Sequence, residues 1–429
     1  MRVTRTVVLK SERLPKKIFK VFIELEGMYR EMLLQILPFA VQNGITSPVK
    51  LKAEKYKFLR ELYPQLPSHY AYTVCQDAVT RAKSFLKRKR RGLAKKECPE
   101  VRSVSIWLDD HLWRAGLTFI RIATHKGWIE VGLEGHKYYW KTVNSDWKLA
   151  SQSRVKLDKR ERRLIVFLVF YKDVREYKAK SWIPIDVNED NVTALIDFKP
   201  VIFETNQKKI TLGYYYRRKK VQEKWDKKLG SRNGKKRRIL GKLREKDKKR
   251  DIRNKLAKII VEEARKRNAG IVLERLPKNV PRRMLEKVSN KQLRHRIYQS
   301  AFLGIQKAIE RKAKEYGVPV IKVNPKNSSR LCPIHNAVVK YESGRFGVCS
   351  VGGEVWHRDI LAVWNLYLRA PQSDGSNAPS SGGLFADGSP VPLGSTATNE
   401  AIWIEKSRWL RWNSLPPTQT NTHLYKKKR

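Results

Sequence analysis

From Trp182 onward the chain alternates short apolar strands with amphipathic helices, and no other pattern in it restricts the fold as much. Ile183-Pro-Ile-Asp-Val187, Val192-Thr-Ala-Leu-Ile196 and Pro200-Val-Ile-Phe203 read as three neighbouring strands. A helix follows from about Asp251, with Ile252, Leu256, Ile259, Ile260 and Ala264 on one face. Gly270-Ile-Val-Leu-Glu274 is a short buried strand, and Leu293, Ile297, Ala301, Ile305, Ala308 and Ile309 mark another amphipathic helix. Val318–Val323 is a strand and Arg358–Arg369 a final helix, which together make α/β architecture. Asp186 and Glu274 each close an apolar strand, and Asp359 opens a helix after a turn. Acids at strand ends of an α/β sheet can converge at one edge, and such hard oxygen ligands suit Mg²⁺. Taken singly, each is more often a cap or an ion-pair partner.

Charge narrows the partner. The 429 residues hold 92 Lys+Arg against 41 Asp+Glu, a formal charge of +51, spread over most of the chain. A polyanion is implied, and nucleic acid fits better than a membrane surface. Between Arg217 and Arg250, 18 of 34 residues are Lys or Arg, which points to the lining of a nucleic-acid channel rather than a merely exposed helix pair. With 41% apolar residues the chain can build real cores. No apolar run is long enough for a transmembrane helix and no secretory h-region is present, so a reducing cytosol is the expected compartment. Four cysteines do not make a disulfide scaffold; Cys75 and Cys98 read as buried apolar residues. No phosphate-binding G-x-x-x-x-G-K-[ST] loop is present.

Ahead of Trp182 lie two other regimes. Residues 1–14 and 97–180 are β-rich, with Leu117–Ile122, Trp128–Leu133 and Leu164–Phe170 the clearest strands; a small barrel is expected. Residues 15–96 are helical, with Ile18, Val21, Phe22, Leu25, Met28 and Tyr29 spaced by threes and fours. After Ala370 the composition falls to Pro, Ser, Gly and Asp, so 371–429 reads as a tail without a core, although the tryptophans of Trp403–Trp412 could dock it back.

Pro184–Val192, Ile271–Leu276 and His357–Leu366 resemble the three split motifs of a RuvC-type nuclease, and Asn324–Pro333 resembles the segment leading into a zinc loop. Their order and spacing resemble the TnpB family, transposon-encoded RNA-guided nucleases related to type V CRISPR effectors. The resemblance implies a multidomain α/β protein: a RuvC-like, RNase H-like domain over 181–370 with a zinc-finger-like insertion at about 330–357, preceded by a β-barrel wedge domain (1–14 and 97–180) carrying an inserted helical recognition lobe (15–96). It implies Asp186, Glu274 and Asp359 as catalytic ligands of two Mg²⁺ ions. The implied partners are a guide RNA, target double-stranded DNA and its displaced strand, bound by a monomeric protein within a ribonucleoprotein at the nucleoid. The competing reading is an RNA-guided DNA-binding repressor that does not cut.

The zinc loop departs from the family's two C-x₂-C pairs. Cys332 and His335 make the first pair and Cys349 begins the second, but Gly352 holds the fourth position. Three ligands leave the set incomplete unless His357 turns inward. The alternative is a degenerate loop held by packing of Val348, Val355 and Trp356.

Overall fold

The computed structural model describes residues 1–94, 96–229, 239–277, 282, 284–286, 288–300, 302–342, 344–370 and 401–411. Arg2–Asp173 form one compact unit, and the other begins at Val174.

In the first unit, β1 (Arg2–Ser11) leads into three helices, α1 (Lys16–Gln42), α2 (Pro48–Leu62) and α3 (His69–Lys89). The chain then forms β2 (Ile106–Leu108), β3 (Trp113–Ala115), β4 (Phe119–Thr124), β5 (Gly127–Glu134), α4 (Lys137–Val143), β6 (Lys148–Asp158) and β7 (Arg163–Asp173). The strands form one antiparallel sheet in the order β2-β6-β7-β1-β5-β4-β3. Its two edge strands, β2 and β3, are consecutive in the chain. Laid flat, seven strands would hold those edges about 29 Å apart, whereas the link from Leu108 to Trp113 reaches no more than about 18 Å. The sheet must therefore roll up into a nearly closed barrel. The inserted helices share its core: Phe22, Leu25, Tyr29 and Met32 of α1 and Val74 and Ala78 of α3 belong to the same buried cluster as Ile106, Val155, Val166 and Leu168. Barrel and helices are thus one body, where the sequence suggested two segments.

The second unit contains β8 (Ser181–Val187), β9 (Asn191–Ile196), β10 (Lys199–Glu204), α5 (Gln207–Leu229), α6 (Glu245–Lys266), β11 (Ala269–Glu274), α7 (Lys291–Gln299), α8 (Phe302–Tyr316) and β12 (Val320–Val323). Next come β13 (Val339–Lys340), β14 (Phe346–Cys349), β15 (Val355–His357), α9 (Arg358–Leu368), β16 (Ile402–Ile404) and α10 (Lys406–Arg411). The main sheet runs β12-β11-β8-β9-β10-β16, with β9 antiparallel to both its neighbours. Gly270 lies opposite Trp182 in the ladder, and a Cβ there would sit 2.3 Å from the indole ring; the glycine is what lets the tryptophan lie across β11.

Side chains alternate between the two faces of a strand. Ile183, Ile185 and Val187 of β8 and Ile271 and Leu273 of β11 join Ile252, Leu256 and Ile260 of α6 and Ile305 and Ile309 of α8 in one core. Leu195, Ile202, Leu361 and Trp364 form a second core on the opposite face, where Val272 meets Leu366. The sheet is therefore a middle layer between α6 and α8 on one side and α9 on the other.

The segment expected to be a tail contributes to this layer. Ile402–Ile404 pairs in parallel with β10, Trp409 is fully buried, and its indole nitrogen donates to the Glu204 carbonyl at 2.8 Å. Residues 371–400 and 412–429 lie outside the described residues.

Candidate active site and metal loop

The alternation that buries Ile185 and Leu273 against α6 and α8 turns Asp186 and Glu274 to the opposite face, toward α9. Leu273 pairs with Ile185 in a parallel ladder, so Asp186 and Glu274 end neighbouring strands side by side. Asp359 lies in the first turn of α9 and is 2% exposed; Asp186 is 7% exposed. Three acids separated by more than eighty residues in sequence are thus brought to one edge of the sheet. Burial pushes the Asp186 carboxyl well above the usual range, and the charges of Glu274 and Asp359 push it further; the Asn188 amide and the Arg345 guanidinium pull against them. Glu274 is raised by burial, opposed by the Ser328 hydroxyl and by Arg369.

A set of polar side chains fixes the three. Asn188 Nδ2 donates to Asp186 Oδ2 at 2.6 Å and to Asn191 Oδ1 at 3.2 Å, and Asn191 Nδ2 donates to Asp359 Oδ2 at 3.1 Å. The turn between β8 and β9 therefore ties Asp186 to Asp359 through two amides. Arg345, just before β14, pairs with Asp359 Oδ2. Ser328 Oγ lies 3.4 Å from Glu274 Oε1, and Asn365 Nδ2 holds the Ser328, Leu331 and Leu361 carbonyls at 2.8–3.1 Å. Asn188 and Asn191 stand inside the Pro184–Val192 motif, but their role shows only once the two carboxylates meet. Arg345 carries no mark that separates it from the chain's other 91 basic residues.

Part of the basic segment is internally braced. Arg218 of α5 and Lys249 of α6 both pair with Glu245, at 3.0 and 2.7 Å, and Lys249 is buried. That share of the charge is structural; residues 230–238 lie outside the described residues.

The loop expected to hold zinc with three ligands differs from that reading. Cys332 Sγ, His335 Nδ1, Cys349 Sγ and a carboxylate oxygen of Glu354 cluster with all ligand atoms within 4.8 Å of one another. His357 does not turn in: it is buried with its ring against Phe346 and Trp403. Nor do Val348 and Val355 pack the loop, since they are 47% and 50% exposed; Trp356 alone of that trio is buried. Among the described residues one further cluster has ligand chemistry, His69, Asp109 and His111. Its two rings stack at 3.8 Å and 18°, which does not aim two in-plane lone pairs at one point, and His69 Nδ1 is 2.7 Å from Asp109. It reads as a hydrogen-bonded turn. Cys75 is buried and Cys98 half-buried, and both are free thiols.

Comparisons with known proteins bear on the family and the fold. A family model described as the Cas12f1-like TNB domain matches residues 302–366, and the uncharacterized MJ0013 family matches residues 25–123. The TnpB-like protein MJ0751 of Methanocaldococcus jannaschii is 30% identical over 223 residues, covering 50% of this chain and 78% of that protein. The chain belongs to the TnpB family. A second protein of the same organism, the uncharacterized MJ0857, is 29% identical over 52% of this TnpB family member and 89% of its own length. Among solved structures, a Cas12f1–sgRNA–target DNA complex aligns with a TM-score of 0.52 at 15% identity over 82% of each chain. The mini-RNA-guided endonuclease CRISPR-Cas_phi3 aligns with a TM-score of 0.50 at 10% identity over 88% of this chain and 93% of its own. At such identities the likeness is one of fold: this TnpB family member shares the architecture of the Cas12f and Cas_phi effectors.

Proposed function

We propose that this TnpB family member is an RNA-guided DNA endonuclease. It would bind a transposon-derived guide RNA and cut double-stranded DNA beside a short flanking motif, at a Mg²⁺-dependent RuvC-type site made of Asp186, Glu274 and Asp359. The observation that carries the reading is the meeting of these three acids at one sheet edge in a member of this family. The complex with Cas12f1 holds a guide RNA and target DNA, and Cas_phi3 is named an RNA-guided endonuclease, which supports the same partners here.

The donor set fits Mg²⁺. Three carboxylates offer only hard oxygens, and the buried Asp186 faces two like charges that a cation would offset. Held by Asp186, Glu274 and Asp359, a pair of Mg²⁺ ions would supply activation of a water and stabilisation of the leaving oxygen of a phosphodiester. The chain's own part is to hold the ligands still: Asn188 and Asn191 fix Asp186 and Asp359, and Ser328 orients Glu274. Arg345 sits on Asp359 and is the protein's own cation for the cleaved phosphate. Elsewhere Lys and Arg grip backbones while base pairing supplies sequence information. The barrel serves as the wedge, its inserted helices as the recognition lobe, and the protein works as a monomer within the ribonucleoprotein.

The test is to co-purify the protein with its native RNA and add a plasmid carrying a guide-matched target, with Mg²⁺. Wild type and Asp186→Ala both bind the plasmid, and only wild type linearises it. Wild type that binds without cutting, across temperatures and flanking motifs, gives the repressor reading instead.

A further inference from the structure

Gly352 leaves a gap in the ligand pattern, and the structure fills it from two residues downstream. A Cβ at Gly352 would lie 2.2 Å from Glu354 Oε1 and 2.2 Å from His335 Cε1. The volume that a ligand at 352 would occupy already holds the Glu354 carboxylate. Gly353 makes this possible by turning the chain through a left-handed conformation, φ 73°, between Cys349 and β15. Cys349 N donates to the Glu354 carbonyl at 2.9 Å and Gly353 N to the Cys349 carbonyl at 3.1 Å, closing the turn. On the other side Cys332 N donates to the Ala337 carbonyl and Asn336 N to the Cys332 carbonyl, each at 2.8 Å, so Cys332 and His335 project from one tight turn.

The spacing of the four side chains is that of a tetrahedral ion. His335 Nδ1 lies 3.7 Å from Cys332 Sγ, 3.6 Å from Cys349 Sγ and 3.4 Å from Glu354 Oε2. Zinc bonds of about 2.3 Å to sulfur and 2.0–2.2 Å to nitrogen and oxygen, at tetrahedral angles, put N···S near 3.6 Å and N···O near 3.4 Å. Hydrogen bonding does not account for the cluster, because one ring nitrogen carries a single proton or a single lone pair and cannot serve three partners at once. Glu354 Oε2 is shielded from solvent and accepts no hydrogen bond, while the Gly352 amide points at Cys349 Sγ from 3.5 Å, an outer contact usual for a metal thiolate.

We propose that Cys332, His335, Cys349 and Glu354 form a complete zinc site in which Glu354 replaces the family's fourth cysteine from a shifted position. Three borderline-soft ligands select zinc over Mg²⁺, and the single carboxylate makes the ion more exchangeable than in an all-thiolate site. The site also braces the candidate active site. Cys349 and Glu354 close one end of the β14–β15 hairpin; at its other end Phe346 pairs with His357, and Arg358 N donates to the Arg345 carbonyl at 2.7 Å. Arg345 and Asp359 therefore hang on a hairpin that the ion clamps.

The test reads metal directly and does not depend on cleavage. The purified full chain with its RNA is analysed for zinc, then stripped and titrated with Co²⁺, and zinc affinity is measured by competition with a chromophoric chelator. Expected are one zinc per chain and the intense visible bands of a tetrahedral Co²⁺ thiolate site. Glu354→Gln lowers zinc affinity by about 10–100-fold or more, and His357→Gln leaves it unchanged. A wild-type protein with no bound zinc and no tetrahedral Co²⁺ spectrum overturns the site, whatever the variants do. Unchanged affinity in Glu354→Gln, or a loss in His357→Gln alone, overturns the assignment of Glu354.

Discussion

Replacing Asp186 by asparagine is expected to stabilise the protein in the absence of divalent ions, and Mg²⁺ is expected to reverse the order. Asp186 is 7% exposed and faces two further acids, so its carboxyl titrates well above the ordinary range, first through burial and then through Glu274 and Asp359. A carboxyl raised in the folded state ionises first in the unfolded chain. Stability is therefore full below the unfolded value of about 3.9, falls as pH rises, and carries the whole penalty above the folded value. Glu274 is raised as well and acts in the same direction. Asparagine removes the charge, keeps the shape, and can turn its carbonyl to the Asn188 amide now 2.6 Å from Asp186 Oδ2. Relief of this kind at a strained site is worth about 0.5–2 kcal/mol, or roughly 1–8 °C in Tm for a unit of this size. Mg²⁺ at a hundred times its Kd adds about 2.7 kcal/mol to a protein that binds it. The wild type then overtakes the variant, which has lost a ligand. Thermal unfolding with EDTA at pH 8, again at pH 5, and along a Mg²⁺ titration measures all three effects. An Asp186→Asn protein no more stable than wild type in EDTA, or Mg²⁺ raising both Tm values equally, refutes the argument that these acids are held together for a cation.

Arg345→Ala removes the cation paired with Asp359 and should lower plasmid cleavage by about 10²–10³-fold while guide and target binding stay unchanged; equal cleavage rates would remove Arg345 from the site. Trp409→Ala empties a fully buried position and leaves the Glu204 carbonyl without its indole donor. It should destabilise the unit by about 3–5 kcal/mol, and a change under about 1 kcal/mol by denaturant unfolding would mean that the 402–411 segment is not part of the fold.

What could be read from the sequence follows from where the backbone is regular. Asp186 and Glu274 each end a run of apolar residues, which allows them to converge at one sheet edge across 88 residues, but it is the resemblance to the split RuvC motifs that picks them out from ordinary caps and ion-pair partners. Asp359 is marked locally as a helix start by the turn before it, and the same resemblance is what joins it to the other two. β16 could not be inferred: three residues make a strand only by pairing with β10, some two hundred positions earlier, and in isolation Ile402–Ile404 is indistinguishable from tail. A small barrel could be expected from the strand-rich segments, but not its strand order, in which β2 and β3 are far apart in the sheet and adjacent in the chain. The metal loop shows the limit most clearly. A spacing rule assumes that ligands leave the backbone at set positions, which holds when the turn is the usual one. Here Gly352 and Gly353 carry the chain through a turn that an ordinary side chain would obstruct, and the longer arm of Glu354 reaches back to the point that a cysteine at 352 would have touched. A missing ligand in a glycine-rich turn is therefore a reason to look one or two residues further on for a side chain long enough to return, before the site is taken as lost.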